Sequence, residues 1–255
     1  MGRTGTQSLE RGAALLRELA ARGTVGWRLS DLAKRCDLDK GTAHRIMGFL
    51  VRERLARQRA GDRRYVPGPL LFELSLALPG HGAFRSACVP HLARLAGRLG
   101  GFAFLCLRSG NDFVCAANAG DHAIKALAHE VGLRRPLVAS AGGVAMLVAL
   151  PPEEAKAVVA ENLKRVRKSG EMRAKAVERM LRRSEAQGYG VHLGDIVPQV
   201  NTYGVAIRDA RGVPFASVSI AGPSGDFPPS RADELVAALA QAAAGIAREA
   251  LAQLG

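Results

Sequence analysis

The first 66 residues carry three successive helical patterns closed by an arginine-rich hairpin, and few folds accept that order. Residues 8–22 place Leu9, Ala13, Leu16, Leu19 and Ala20 at helical spacing and stop at Gly23. Ser30 stands where it can cap a short helix over residues 31–36, with Leu32 and Ala33 inward. After a brief turn at Asp37 and Leu38, Asp39 caps a third helix that runs to about residue 52. Its inner face is Ala43, Ile46, Met47 and Leu50. Residues 55–59 and 63–66 then read as two short strands around the turn 60–62. Helix, short helix, tight turn, helix and basic hairpin is the order of a winged helix-turn-helix.

Charge gives that pattern a partner. The chain of 255 residues has a formal charge of +13, which speaks to partners rather than to fold. Up to Val66 there are 15 Lys/Arg against 7 Asp/Glu, and beyond it 21 against 16, so the excess concentrates in the first quarter. The third helix presents Lys40, Gly41, Thr42, His44 and Arg45 near its start, where a recognition helix meets base edges. Lys and Arg reach guanine acceptors, and the Thr42 methyl can pack on a thymine methyl. Gly41 lets the backbone approach a phosphate. Arg57, Arg59, Arg63 and Arg64 crowd the hairpin, as suits a wing lying along phosphates or in the minor groove. Charge alone fits an ordinary solvated face better than DNA binding; charge, spacing and hairpin together point to double-stranded DNA.

Pro67-Gly68-Pro69 and Pro79-Gly80 interrupt the chain on either side of an apolar helix over residues 70–78. The expected division is a DNA-binding domain over residues 1–67, a linker helix over 68–80 and a second domain over 81–255. That second domain alternates helices (84–99, 139–150, 153–159, 173–187, 231–254) with strand pairs. Residues 102–107 pair with 113–117, and 200–207 with 213–221. The fold class is α+β, an antiparallel sheet with flanking helices.

The motifs resemble the IclR family of bacterial transcription regulators. Gln7-Ser8-Leu9-Glu10-Arg11, Ser30-Asp31-Leu32-Ala33, the stretch from Leu38 through Thr42-Ala43-His44-Arg45 to Met47, and Arg64-Tyr65 carry the resemblance in the first part. Pro136-Leu137, Ser140-Ala141-Gly142-Gly143, Gly188-Tyr189 and the run from Ser217 to Pro223 carry it in the second. The resemblance implies a GAF-like effector-binding domain behind the winged helix, and a homodimer or dimer of dimers reading a pseudo-palindromic operator.

At Ser140-Ala141-Gly142-Gly143 a glycine-bearing helix start offers exposed amides that can hold a carboxylate, and close helix packing explains the same glycines equally well. The resemblance implies an effector pocket lined by Ser140, Ala141, Gly142, Gly143, His192, Thr202, Ser219, Ile220 and Ala221, with Asp195 and Asn201 as further rim candidates. Within the family pattern His192 stands where an acid is common, Thr202 where a cysteine is common, and Ala221 where a second serine is common. A pocket with less negative charge suits an anionic effector, and the expected effector is a small organic acid, with aromatic carboxylates among the candidates.

Other chemistries find no support. The histidines (His44, His81, His91, His122, His129, His192) are dispersed without metal-ligand spacing, Ser140 does not sit in G-x-S-x-G, and the glycine pair has no phosphate-loop lysine. Cys36, Cys88, Cys106 and Cys115 form no C-x-x-C, and Cys106 and Cys115 fall in apolar strands as inert core thiols. The Lys/Arg-rich stretch from Lys164 to Arg183 reads as a solvated face, with DNA flanks or an acidic partner as alternatives. No catalytic residue, cofactor, metal or membrane association is expected, and the setting is cytoplasmic. The expected function is a DNA-binding transcription regulator modulated by a small acid; the alternative is a second domain that only oligomerises.

Overall fold

Leu15 and Leu19 fall one turn apart on the first helix, and both are wholly buried against Leu32, Met47 and Leu50. They nucleate the smaller of the two compact units in the computed structural model, which describes residues 4–77, 81–120 and 130–251. One unit is Met1–Pro79 with Gly132–Arg134; the other is Gly80–Val131 with Arg135–Gly255.

In the first unit α1 (Thr4–Arg22), α2 (Leu29–Arg35) and α3 (Lys40–Arg52) precede the hairpin of β1 (Ala56–Gln58) and β2 (Tyr65–Pro67), and α4 (Pro69–Leu76) follows. The inward stripe of α1 differs from the expected one: Leu9 is 74% exposed, and Leu15 takes its place in the core. Ser30 lies inside α2 rather than before it, because Arg28 is the extended cap residue and makes no side-chain cap bond. Arg57 pairs opposite Val66, and Trp27 bridges to Tyr65, adding a third edge to the hairpin. The Trp27 indole donates to Glu18 O at 2.7 Å, and Arg22 stacks on its ring at 3.9 Å, tying hairpin to α1. Pro67-Gly68-Pro69 is more than a break. Gly68 N donates to Leu55 O at 3.0 Å and Leu70 N to Arg54 O at 3.1 Å, so the segment completes the hairpin before α4 starts on Pro69. Leu78, Pro79 and Gly80 lie outside the described residues.

The second unit centres on a six-stranded sheet in the order β5-β4-β3-β8-β7-β6. Its strands are β3 (Phe102–Ser109), β4 (Asp112–Gly120), β5 (Arg134–Pro136), β6 (Gly190–Leu193), β7 (Val200–Arg208) and β8 (Pro214–Pro223). The pairs β3–β4, β3–β8, β7–β8 and β6–β7 are antiparallel. One face packs Ala103, Leu105, Tyr203, Ile207, Val218 and Ile220 under α5 (His81–Leu99) and α9 (Ala232–Leu251). The other meets α6 (Ala141–Ala149), with α7 (Pro152–Arg167) and α8 (Glu171–Gln187) beside it.

The helix after Pro151 runs eight residues past its expected end. Glu153 and Glu154 open it and Lys164, Arg165 and Arg167 close it, each sign favourable to the helix dipole, while Val158, Asn162 and Val166 are buried at helical spacing. Gly188, left-handed at φ 75°, stops α8 as expected. Residues 121–129, with His122 and His129, and the expected end of the last helix at residue 254 lie outside the described residues.

Candidate nucleic-acid interface and ligand pocket

The start of α3 is fixed by Asp39, whose backbone is extended and whose carboxylate accepts from Thr42 N at 2.8 Å. That bond holds the Asp39 carboxyl below its ordinary value. Ala43, Met47 and Leu50 turn into the core, which leaves Lys40, Gly41, His44 and Arg45 exposed and Thr42 half-buried. One turn beyond His44, Gly48 continues the surface with nothing within 4 Å of where a Cβ would stand.

The four wing arginines divide into two pairs. Arg59 binds Asp62 at 2.6 and 3.2 Å and donates to the carbonyl oxygens of Thr24 (2.7 Å) and Val25 (3.1 Å). Arg64 reaches Gly26 O at 3.3 Å and Asp62 at 3.5 Å. Both guanidiniums are committed to the turn that precedes α2. Arg57 and Arg63 are exposed and have no side-chain partner among the described residues. Arg63 sits in the left-handed region at φ 55°, held by Gln58 Nε2 donating to its carbonyl at 2.9 Å and by its own N–H donating to Arg59 O at 3.0 Å.

In the second unit Ser140 caps α6, its hydroxyl accepting from Gly143 N at 3.0 Å. The glycines here serve close packing. A Cβ on Gly142 would lie 2.6 Å from Ser219 Oγ and 2.7 Å from Ser217 Oγ, and one on Gly190 would overlap the Ala141 carbonyl oxygen. The helix start therefore presses directly on the sheet, and two buried hydroxyls, Ser217 and Ser219, lie beneath it with no hydrogen-bond partner among the described residues.

His192 lies on the same face. It pairs opposite Thr202, which pairs opposite Ala221, which pairs opposite Phe102; the next row on that face is Gly190, Gly204, Ser219 and Phe104. The ring is buried, and its Nε2 accepts from Ile196 N (2.7 Å) and Val197 N (3.1 Å). Two donors on Nε2 put the proton on Nδ1, and Nδ1 has no partner among the described residues. Burial of the ring lowers its pKa, against the pull of the Asp195 carboxylate and of the backbone at Val200 and His192, so the group is a neutral N–H donor. That backbone lies near the ring without meeting hydrogen-bond geometry at Nδ1. Asp195 is turned away from ligand duty: Arg183 binds it at 2.6 Å and Leu193 N donates to it at 3.0 Å. Burial raises the Asp195 carboxyl, but those bonds outweigh it and hold the group below its ordinary value.

Comparison with known proteins decides the family. Residues 8–60 match the IclR helix-turn-helix domain, and residues 81–248 match the C-terminal region of bacterial transcriptional regulator IclR. The chain belongs to the IclR family. This IclR-type chain is 28% identical over 228 residues to the HTH-type transcriptional repressor AllR of Klebsiella pneumoniae, covering 89% of this chain and 84% of that protein. It is 30% identical over 247 residues to the glycerol operon regulatory protein of Streptomyces griseus, covering 95% and 96%. Among solved structures it resembles an IclR family regulator from Brucella abortus (TM-score 0.74, 23% identity, 96% and 93% covered). It also resembles an IclR homologue from Microbacterium hydrocarbonoxydans complexed with 4-hydroxybenzoate (TM-score 0.68, 25% identity, 96% and 99% covered). The relatives are transcription regulators rather than enzymes, and this IclR-type protein is a DNA-binding transcription regulator. Among the described residues no helix is long and apolar enough to cross a membrane.

Within this IclR-family chain, strand alternation corrects part of the expected pocket. Ile220 points to the opposite face, into the core under α5 and α9, because it falls between Ser219 and Ala221. Asn201 also faces away, its Nδ2 donating to Phe227 O at 3.0 Å. Sequence reasoning missed Ser217, Phe102 and Phe104, all buried on the α6 face. The period-2 runs Phe102-x-Phe104 and Ser217-x-Ser219-x-Ala221 carried that information. It missed Asn162 as well, a wholly buried amide on α7 whose Oδ1 accepts from Val138 N at 3.3 Å and whose Nδ2 lacks a partner among the described residues. Cys106 and Cys115 face each other across β3 and β4, both fully buried, and burial pushes the Cys106 thiol well up.

Proposed function

We propose that this regulator reads operator DNA through Lys40, Gly41, Thr42, His44 and Arg45 of α3 and through the wing, and that a small organic acid on the α6 face changes its operator affinity. Residues 1–67 serve DNA, 68–80 link, and 81–255 hold the effector and the oligomer contacts. In the wing Arg57 and Arg63 take phosphates or the minor groove, while Arg59 and Arg64 shape the hairpin that carries them.

One observation carries the effector reading. The N–H of His192 Nδ1 and the hydroxyls of Ser217 and Ser219 are buried on the α6 face without a partner among the described residues. Buried polar groups are nearly always hydrogen-bonded, and a lone one costs about 1–3 kcal/mol. The Ser217 and Ser219 hydroxyls lie together beneath the helix start, and His192 lies two strands away, so a ligand whose carboxylate takes the donors at one end of this face reaches the other end with its body. Phe102 and Phe104, with ring centroids 5.8 Å apart, give the same face an aromatic wall, which agrees with an aromatic acid. The relative that binds 4-hydroxybenzoate supports that choice.

The protein acts in the cytoplasm as a homodimer or dimer of dimers. Helix α4 supports self-association, since Phe72, Leu74 and Leu76 stand 67%, 54% and 70% exposed on one short apolar helix, and a second copy is the natural cover. A second reading, in which the C-terminal domain only oligomerises, is favoured by the close packing of Gly142 and Gly190. Operator footprinting with and without 4-hydroxybenzoate and related acids, beside a thermal-shift screen of the same acids, separates the two. Stabilisation together with an altered footprint is expected; an acid-insensitive protein at saturating concentrations leaves the second reading.

A further inference from the structure

On the sheet face opposite α6, helices α5 and α9 pack side by side and leave between them an open groove of about 440 Å³. Small-molecule sites usually measure roughly 300–1,000 Å³. Leu95, Ala238 and Ala242 make its floor, and Arg94, Arg98 and Gln241 stand around it. Arg94 and Arg98 are four residues apart on α5, so both cations line one edge.

The edge is built rather than incidental. His91 is buried at the same groove, and its ring fits only because residue 245 is glycine, where a Cβ would stand 2.8 Å from Nδ1. Arg94 donates to His91 Nδ1 at 3.1 Å. An arginine donor on Nδ1 puts the ring proton on Nε2, which donates to Glu249 at 3.0 Å. Arg94 is thus oriented by the His91 ring rather than hydrogen-bonded to a carboxylate. Arg98 has no hydrogen bond or ion pair among the described residues. The nearest acids are already taken: Glu249 by His91, and Glu234 by Arg231 at 2.8 and 2.9 Å. Neither guanidinium has a hydrogen-bonded carboxylate among the described residues, although Glu249 lies within the field of Arg94 and Glu234 within that of Arg98, and both stand beside an apolar floor that suits an anion with an apolar body.

We propose that the α5–α9 groove is a second binding site, distinct from the α6 face, for a small organic acid with an apolar or aromatic tail. The carboxylate lies between Arg94 and Arg98, the Gln241 amide donates to it, and the tail covers Leu95, Ala238 and Ala242. Inorganic phosphate and acetate reach the charged edge but leave the floor bare, so they bind more weakly than benzoate.

Isothermal titration of the full chain with benzoate, acetate and phosphate tests this in the wild type, Arg98→Glu and Gln241→Glu. Both side chains are exposed, so thermal melts check that the fold is kept. The site is read as the wild-type-minus-variant difference, whatever binds at α6. A benzoate event weakened at least about tenfold in both variants, and stronger than the acetate and phosphate events, supports the site. It is overturned if the wild type shows no benzoate event at millimolar concentration, if the variants titrate like wild type, or if phosphate binds as tightly as benzoate. It is also overturned if light scattering finds a changed oligomeric state in the variants with an unchanged benzoate titration, which makes the groove a contact between copies.

Discussion

Arg59 holds the Asp62 carboxylate at 2.6 Å across the wing turn while its other nitrogen donates to Thr24 O at 2.7 Å. One side chain therefore closes the hairpin and moors it to the segment before α2. Arg59 keeps the Asp62 carboxyl below its ordinary value, so the latch stays charged throughout the neutral range. Asp62→Ala is expected to loosen the wing and weaken operator binding without removing a phosphate contact. Arg63→Ala is expected to remove the proposed one, and so to lower the slope of log affinity against log salt by about 0.9. Fluorescence anisotropy over a salt series distinguishes them. Equal slopes for Arg63→Ala and wild type would show that Arg63 touches no phosphate.

Arg45 is exposed on α3, next to His44 and one turn from Gly41, and carries no partner in the described protein. In the proposed docking a guanidinium at that position reaches the guanine acceptors in the major groove. Arg45→Ala should relax preference at one base pair by about 1–3 kcal/mol while leaving the affinity for unrelated DNA nearly as it was. Competition binding with single-base operator variants measures this; a uniform loss on every sequence would reassign Arg45 to the backbone.

His192 gives the second unit a defined response to acid. Burial lowers its pKa below the ordinary value near 6.5, so the unfolded chain takes up the proton more readily than the folded one. Its contribution is complete above about pH 6.5 and is lost as pH falls from there through the folded value. Protonation at Nε2 also breaks the bonds from Ile196 N and Val197 N, releasing the loop they anchor. Denaturant midpoints should fall between about pH 7 and pH 5.5 in the wild type and less steeply in His192→Gln. Parallel curves for the two proteins rule His192 out as the source.

The legible parts of the sequence were those where a local rule and the tertiary answer coincide. Asp39 as cap, Met47 and Leu50 as inner face, and Gly188 as helix stop needed no long-range information. The wing order was legible too, but not the division of its arginines, because Thr24 and Val25 lie more than thirty residues from Arg59. Strand alternation in the sequence separates Ile220 from Ser219 and Ala221, so that error came from reading a family stretch as contiguous. The twin role of Gly142, helix start and seat for Ser217 and Ser219, depends on which strand lies opposite it, and no local pattern records that.

Ser219 offers a test that separates a binding site from mere close packing. Its hydroxyl is fully buried near Gly142 with no partner among the described residues. Removing an unsatisfied buried hydroxyl relieves a penalty of about 1–3 kcal/mol, offset in part by the small void left behind. Ser219→Ala should therefore leave the ligand-free protein as stable as wild type or more stable. If the hydroxyl donates to an effector carboxylate, the same variant should lose most of the thermal shift produced by the best acid in the screen. Greater ligand-free stability with a diminished ligand response marks a group retained for binding. A destabilised variant with an undiminished response would instead make Ser219 a packing residue and move the effector elsewhere.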